Sequence, residues 1–201
     1  MTIDYRSATF LTSVPDASLA PDDNSAEVAF AGRSNAGKSS ALNALTDQRA
    51  LARTSKTPGR TQQINFFTLS SGQRLVDLPG YGYARVPEAT RSKWAELIEW
   101  YLGSSGDVKG VVHLVDSRHP PTEHDHRMVE YLSEVGLPTL VVLTKVDKLK
   151  RMEREAAFPR AAEALGLDES QLVPFSSKTG EGRDALLAAL EDLLNPSEED
   201  S

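Results

Sequence analysis

"GRSNAGKSS", residues 32–40, packs two glycines, a lysine and three serines into nine positions at the end of the apolar run "EVAFAG" (27–32). A flexible linker can have this composition, but a linker has no need of a lysine between a glycine and a serine. The neighbours decide between the two readings. "EVAFAG" reads as a short buried strand stopped by glycine, and "KSSALNALTD" (38–47) as a helix with Ala41, Leu42 and Leu45 at helical spacing. Between a strand and a helix, Gly32-x-x-x-x-Gly37-Lys38-Ser39 is a P-loop pattern with a mechanism. Backbone N–H groups wrap a β-phosphate and the helix N-terminus adds its positive dipole end. Lys38 bridges β- and γ-phosphates, and the Ser39 hydroxyl ligates Mg²⁺.

The chain around this loop alternates strands and helices. A polar loop (49–61) leads to two β-type runs, "QINFFTL" and "QRLVDL", joined by "SSG", which predicts a hairpin. In "TRSKWAELIEWYLG" (90–103), Trp94, Leu97, Ile98, Tyr101 and Leu102 share one helical face, with Thr90 as N-cap and Gly103 as stop. Trp100 falls off that face, either as a half-buried core edge or as a partner contact. "GVVHLVD" (110–116) is an apolar strand, and 122–136 a helix capped by Thr122. There follow a strand at 137–144, a charged helix within 148–165, a strand at 171–175 and a last helix around 185–194. Continuous apolar strands alternating with helices imply a mostly parallel sheet covered on both faces. Residues 1–24 read as an irregular lead-in, 25–195 as a single domain and 196–201 as an acidic tail.

Bulk properties agree with one soluble domain: 201 residues, 39% hydrophobic and 25% charged, with no cysteine and so no disulfide or thiolate metal site. The start lacks the basic-then-apolar pattern of a signal peptide, and no apolar run approaches the roughly 20 residues of a membrane span, so a cytoplasmic protein without membrane contact is expected. The net charge of −7 argues against a protein that coats nucleic acid by its overall field. Charge is nonetheless uneven. From Gln48 to Val76 there is no acid, while Arg49, Arg53, Lys56, Arg60 and Arg74 all occur. That segment is either a solvated basic loop or one that faces an anion.

Three further motifs say which nucleotide. "LVDLPG" (75–80) puts Asp77 at the end of a strand, where it can hold Mg²⁺ through the ion's water shell, and Gly80 where its N–H can meet a γ-phosphate. "TKVD" (144–147) ends the strand before it. The Asp147 carboxylate can accept both N1–H and N2–H₂ of guanine, a donor pair that adenine does not present, and the Lys145 stem can cover the base. "SSKTG" (176–180) can bring backbone N–H groups near Ser177 or Lys178 to guanine O6. The four histidines make no metal site, since His124 and His126 point to different sides of a helix and His113 lies inside a strand.

Together "GRSNAGKSS", "RTSKTPGRTQ", "INFF", "LVDLPGYGYA", "DSRHP", "LTKVDKL" and "FSSKTG" resemble the EngB family of bacterial ribosome-biogenesis GTP-binding proteins, over about residues 24 to 193. The resemblance implies an α/β Ras-like fold, a six-stranded, mostly parallel sheet with one antiparallel strand and helices on both faces. It implies binding of GDP and GTP with Mg²⁺ and help in assembling the large ribosomal subunit. The phosphate loop is then Gly32, Asn35, Ala36, Gly37, Lys38, Ser39 and Ser40, with Asp77 and Gly80 downstream. The guanine site is Thr144, Lys145, Asp147, Ser176 and Ser177. Thr61 matches the switch threonine that binds Mg²⁺ and γ-phosphate, with Thr57 as a rival. The Mg²⁺ ligands are therefore expected at Ser39, Thr61 and Asp77, and the catalytic set at Lys38, Asn35 and Thr61.

Two departures from common GTPase wording bear on activity. Thr144 replaces the asparagine of N-K-x-D, which predicts moderate guanine affinity. Tyr81 follows D-x-x-G where many GTPases have a water-orienting glutamine, which predicts slow hydrolysis. Asn35 either offers its carbonyl oxygen to K⁺ as a source of transition-state charge or merely tolerates an unusual backbone angle. Ribosomal RNA and protein contacts are expected in segments 48–76 and 81–93 of a monomer. A module that binds nucleotide without meaningful hydrolysis and a P-loop small-molecule kinase are the alternatives.

Overall fold

The computed structural model describes residues 2–53, 63–82 and 88–195. Seven strands form one sheet in the order β1-β3-β4-β2-β5-β6-β7. They are β1 (Thr9–Val14), β2 (Glu27–Gly32), β3 (Ile64–Thr68), β4 (Arg74–Asp77), β5 (Val108–Asp116), β6 (Thr139–Thr144) and β7 (Leu172–Pro174). The helices are α1 (Lys38–Leu45), α2 (Glu88–Ser104), α3 (Glu123–Glu134), α4 (Arg151–Leu165) and α5 (Arg183–Leu194).

Strand pleating sends alternate side chains to opposite faces, and the core divides accordingly. Val28, Phe30, Val112 and Leu114 pack with Leu42 and Leu45 of α1 and with Leu186, Leu190 and Leu194 of α5. Ala29, Val76 and Val111 pack on the other face with Ile98, Tyr101 and Leu102 of α2 and Leu132 of α3. Val115, Val141 and Leu143 continue that face onto Ala161 and Leu165 of α4. The Leu186, Leu190, Leu194 stripe repeats every four residues, so one side of α5 is buried along its length.

β3 runs antiparallel to both of its neighbours, and every other pairing among β2, β4, β5, β6 and β7 is parallel. One antiparallel strand is present as expected, but the sheet has seven strands rather than six. The additional strand is β1, inside the stretch expected to be an irregular lead-in. Its partner lies fifty or more residues away, with Thr9 opposite Thr68 and Val14 opposite Ile64. A register shift between Phe10 and Thr12 also breaks the period of two by which a strand is recognised. The Phe10 and Phe67 rings meet edge to face, their centroids 6.0 Å apart.

Helix α2 begins at Glu88, two residues before the expected cap Thr90, and runs past Gly103 to Ser104. The side chains of Thr90 and Trp94 lie outside those described. Trp100 is half exposed. At α3 the expected cap holds: the Asp125 carboxylate accepts from both the N–H and the hydroxyl of Thr122, each at 2.8 Å.

At the N-terminal ends of β2 and β4, far along these strands from the phosphate loop, Arg74 pairs with the buried Glu27 and with Asp23. Arg74 is 4% exposed. Counted by sequence among the cations of the acid-free segment, it is thus no part of a surface that could face RNA. An interior guanidinium needs a carboxylate beside it, and the β2–β4 register supplies one by setting Glu27 opposite Arg74.

Candidate functional site

The site is assembled at the C-terminal ends of β2, β4, β5 and β6, the edge of a parallel sheet where loops converge. From β2 the chain turns at Gly32, where a Cβ would lie 2.7 Å from the Leu114 carbonyl oxygen of β5, so no side chain fits. Asn35 and Gly37 both hold left-handed backbone, with φ of 63° and 99°. The Ala36 N–H donates to Arg33 O at 3.0 Å and the Ser34 N–H to Tyr81 O at 2.9 Å, which fixes the loop's curvature. Gly37 precedes α1 and brings no side-chain cap, so the first-turn amides beside Lys38, Ser39 and Ser40 are left for an anion.

Asp77 closes β4 and is 3% exposed. Its Oδ1 has no hydrogen-bond partner among the described residues. Burial raises its pKa, and the neighbouring Lys38 ammonium opposes that shift without cancelling it. A buried carboxylate oxygen with no donor is suited to a cation or to the water on one. Gly80 follows against the phosphate loop, where a Cβ would come within 3.2 Å of the Ser34 nitrogen and 3.3 Å of Lys38 Nζ.

The second half of the site hangs from β6. The buried Thr144 hydroxyl donates to Ala36 O at 2.6 Å. Lys145 takes a left-handed φ of 61°, and its Nζ reaches Asn35 O at 2.5 Å and Asp116 Oδ2 at 2.8 Å. Asp147, in the 3₁₀ turn Val146–Lys148, accepts from Ser176 Oγ at 2.8 Å. That hydrogen bond is the main cause of its lowered pKa, so the group is a carboxylate acceptor at neutral pH. Ser176 is buried and accepts the N–H groups of Lys178 and Thr179, which shapes the loop, while Ser177 is exposed. The phosphate loop and the Thr144–Asp147 loop are therefore bonded to one another directly, although more than a hundred residues separate them.

Of the expected site residues, Gly32, Asn35, Ala36, Gly37, Lys38, Ser39, Ser40, Asp77 and Gly80 meet around the phosphate loop, and Thr144, Lys145, Asp147 and Ser176 beside it. Thr61 and Thr57 lie outside the described residues. Asp116 was not singled out from the sequence. It holds Lys145 with one oxygen and Arg118 with both, at 2.7 to 3.3 Å. Burial alone would raise its pKa, but the hydrogen bonds from Arg118 and Lys145 lower it to about 2. The available signal was an aspartate at the C-terminal end of an apolar strand, the same position that marked Asp77. A cleft of about 220 Å³ lies between phosphate-loop residues 33–36, the end of β5 and the 118–120 turn.

Tyr81 does not present its hydroxyl as a free group at the place of the water-orienting glutamine. The hydroxyl lies 2.7 Å from His113 Nε2 on β5 and 3.0 Å from Asp125 Oδ1 on α3.

This sheet order with one antiparallel strand, a phosphate loop feeding α1 and a carboxylate loop hydrogen-bonded to it define a P-loop GTPase domain of Ras-like fold. The family profile described as "50S ribosome-binding GTPase" matches residues 27–145. The chain is 56% identical over 162 residues to the probable GTP-binding protein EngB of Idiomarina loihiensis, covering 81% of this chain and 79% of the relative. It is 50% identical over 174 residues to the probable GTP-binding protein EngB of Gemmatimonas aurantiaca, covering 87% and 85%. A crystal structure of a probable GTP-binding protein EngB superposes with a TM-score of 0.73 at 25% identity, over 84% of this chain and 98% of that one. The chain belongs to the EngB family of GTP-binding proteins. No helix among the described residues is long and apolar enough to cross a membrane.

Proposed function

We propose that the chain binds GDP and GTP between the amides at Lys38 and the carboxylate of Asp147, hydrolyses GTP slowly, and uses the bound nucleotide to control its attachment to the assembling large ribosomal subunit. The observation that carries the nucleotide reading is the pair of hydrogen bonds from Thr144 and Lys145 to Ala36 and Asn35. They join the Thr144–Asp147 loop to the phosphate loop, which supports a single ligand that spans the two. Calorimetry with GDP, GTP and ADP tests this, and equal affinity for ADP and GDP would favour the kinase alternative.

In this reading Asp147 takes the two N–H donors of guanine, the Lys145 stem covers the base, and a phosphate chain lies along Gly37, Lys38, Ser39 and Ser40. Ser39 and Asp77, with Thr61, would hold Mg²⁺, and the orphaned Asp77 Oδ1 is a fit for the ion's water shell. Bound there, Mg²⁺ supplies positive charge against the β- and γ-phosphate oxygens. Lys38 shares that task and Gly80 offers its N–H to the γ-phosphate. The Tyr81 hydroxyl is taken up by His113 and Asp125. That supports slow intrinsic turnover, and it equally favours a second reading, a binding module with negligible hydrolysis. Single-turnover hydrolysis with isolated ribosomal subunits separates the two.

Asn35 is exposed in left-handed backbone, which accounts for an asparagine there without an ion. Turnover in KCl against NaCl, with and without subunits, decides whether it also recruits K⁺: equal rates in both salts remove K⁺ from the mechanism. We keep the ribosomal face within segments 48–76 and 81–93, the buried Arg74 excepted, and Arg53 and Lys56 are the first cations to replace. Cosedimentation with subunits under GTP, GDP and no nucleotide tests it, and binding that ignores the nucleotide would sink the switch.

A further inference from the structure

His113 is a polar ring in an apolar layer. It lies on the face of β5 that carries Val111 and Val115, is fully buried, and keeps Nδ1 without a partner among the described residues. A valine or leucine would fill that layer without an unmatched nitrogen, so the ring calls for a reason beyond packing. Its contacts supply one. Nε2 lies 2.7 Å from the Tyr81 hydroxyl and 3.5 Å from Asp125 Oδ1.

Proton bookkeeping orders the three groups. The other oxygen of Asp125 already accepts from the N–H and the hydroxyl of Thr122, and these donors with His113 keep the buried carboxyl lowered although burial would raise it. An ionised Asp125 accepts the Tyr81 O–H at 3.0 Å, and the tyrosine oxygen then accepts from Nε2–H of His113. The two shorter contacts are matched in this arrangement, the 3.5 Å approach of Nε2 to Asp125 Oδ1 adds attraction without a proton of its own, and Nδ1 is left over.

The residue thus held is also tied at its backbone, because Tyr81 O accepts from the Ser34 N–H at 2.9 Å. Gly80, one residue earlier, is pressed against Ser34 and Lys38 so closely that a Cβ would meet them at 3.1 and 3.3 Å. Lys38 Nζ is where a third phosphate would be met, and GDP has none.

We propose that His113 and Asp125 latch Tyr81 into the interior and, through it, hold Gly80 at the phosphate loop ready for a γ-phosphate. They are positioning residues that make the site prefer GTP to GDP more than it otherwise would. This rests on the reading of the site as a guanine-nucleotide site given above.

The test measures the affinities of the full chain for GDP and for a non-hydrolysable GTP analogue in Tyr81→Phe, Asp125→Asn, His113→Leu and the Tyr81→Phe/His113→Leu pair. The expected result is analogue binding weakened about five- to thirtyfold with GDP binding changed less than about twofold, and a double variant no weaker than the worse single one. A structural role alone would move both nucleotides together. Tyr81→Phe keeps the ring and its packing, so it decides the matter even where another variant folds poorly. Equal factors for both nucleotides, or no change in Tyr81→Phe, overturn the latch. If the unaltered chain binds neither nucleotide, the site reading itself fails and takes the latch with it.

Discussion

The Thr144 hydroxyl donates to the Ala36 carbonyl at 2.6 Å, a bond between the end of β6 and the crown of the phosphate loop. It is made by the residue that replaces asparagine in N-K-x-D. A hydroxyl carries one hydrogen, and a second carbonyl among the described residues, Val115 O, is 3.3 Å away. The threonine therefore keeps the brace to the loop but has no second N–H to offer.

Thr144→Val removes the brace and leaves a buried carbonyl unpaired, a loss of about 1–3 kcal/mol. GDP affinity is expected to fall roughly tenfold by calorimetry. Thr144→Asn supplies two N–H groups and is expected to tighten GDP binding roughly twofold to tenfold, in keeping with the moderate affinity assigned to the threonine. An asparagine variant that binds no better would show that the hydroxyl already makes every useful contact.

In the proposed mode of binding, Asp147→Asn exchanges an acceptor for a donor opposite the exocyclic group of the base. Guanine then faces an N–H with its own N–H₂, while xanthine brings a carbonyl. GDP affinity is expected to drop more than about tenfold and xanthosine diphosphate to become the better ligand. Competition between the two diphosphates measures this directly. An unchanged preference would place the base elsewhere.

Asp77→Asn removes a carboxylate that burial disfavours in its charged form. Without nucleotide the variant is expected to melt higher, by roughly 2–4 °C for each kcal/mol recovered. Binding of a GTP analogue should lose its dependence on Mg²⁺. Stability and ligation are predicted to move in opposite directions, which thermal melts with and without Mg²⁺ and analogue will show.

The Asp116 carboxyl is lowered to about 2 in the folded chain, against an ordinary value of 3.8. The folded state thus binds this proton less readily than the unfolded one. The stabilisation is fully present above about pH 4 and is lost as pH falls from there toward 2. Its size is about 1–2 kcal/mol, reduced by solvent because the Arg118 partner is 43% exposed. Asp116→Asn should be less stable than the unaltered chain at pH 7 and lose less on acidification, measured by urea unfolding at several pH values. Parallel acid profiles would refute the assignment.

Much of the site could be read from the chain because its parts are local. Gly32, Gly37 and Lys38 sit within seven positions, and the strand before and helix after them are encoded by apolar spacing over a few residues. The Thr122 cap and the last helix, α5, were legible for the same reason. Asp116 was half legible: its place at a strand end was a signal, but its bond to Lys145 joins residues 29 apart.

What the sequence determined by itself is the set of backbone shapes and the groups they carry. Glycine and asparagine permit the turns of the phosphate loop, and hydrophobic periodicity makes the strands and helices, over distances of one turn or one pleat. The tertiary structure decided which distant groups meet. It made a strand of residues 9–14 by giving them Ile64–Thr68 as a partner, and it drew Arg74 inside to Glu27. It also turned Tyr81 inward to His113 and Asp125. Such contacts form only when the sheet order brings the partners within bonding distance, because a hydrogen bond or an ion pair acts over a few ångströms and carries no mark of its partner along the chain.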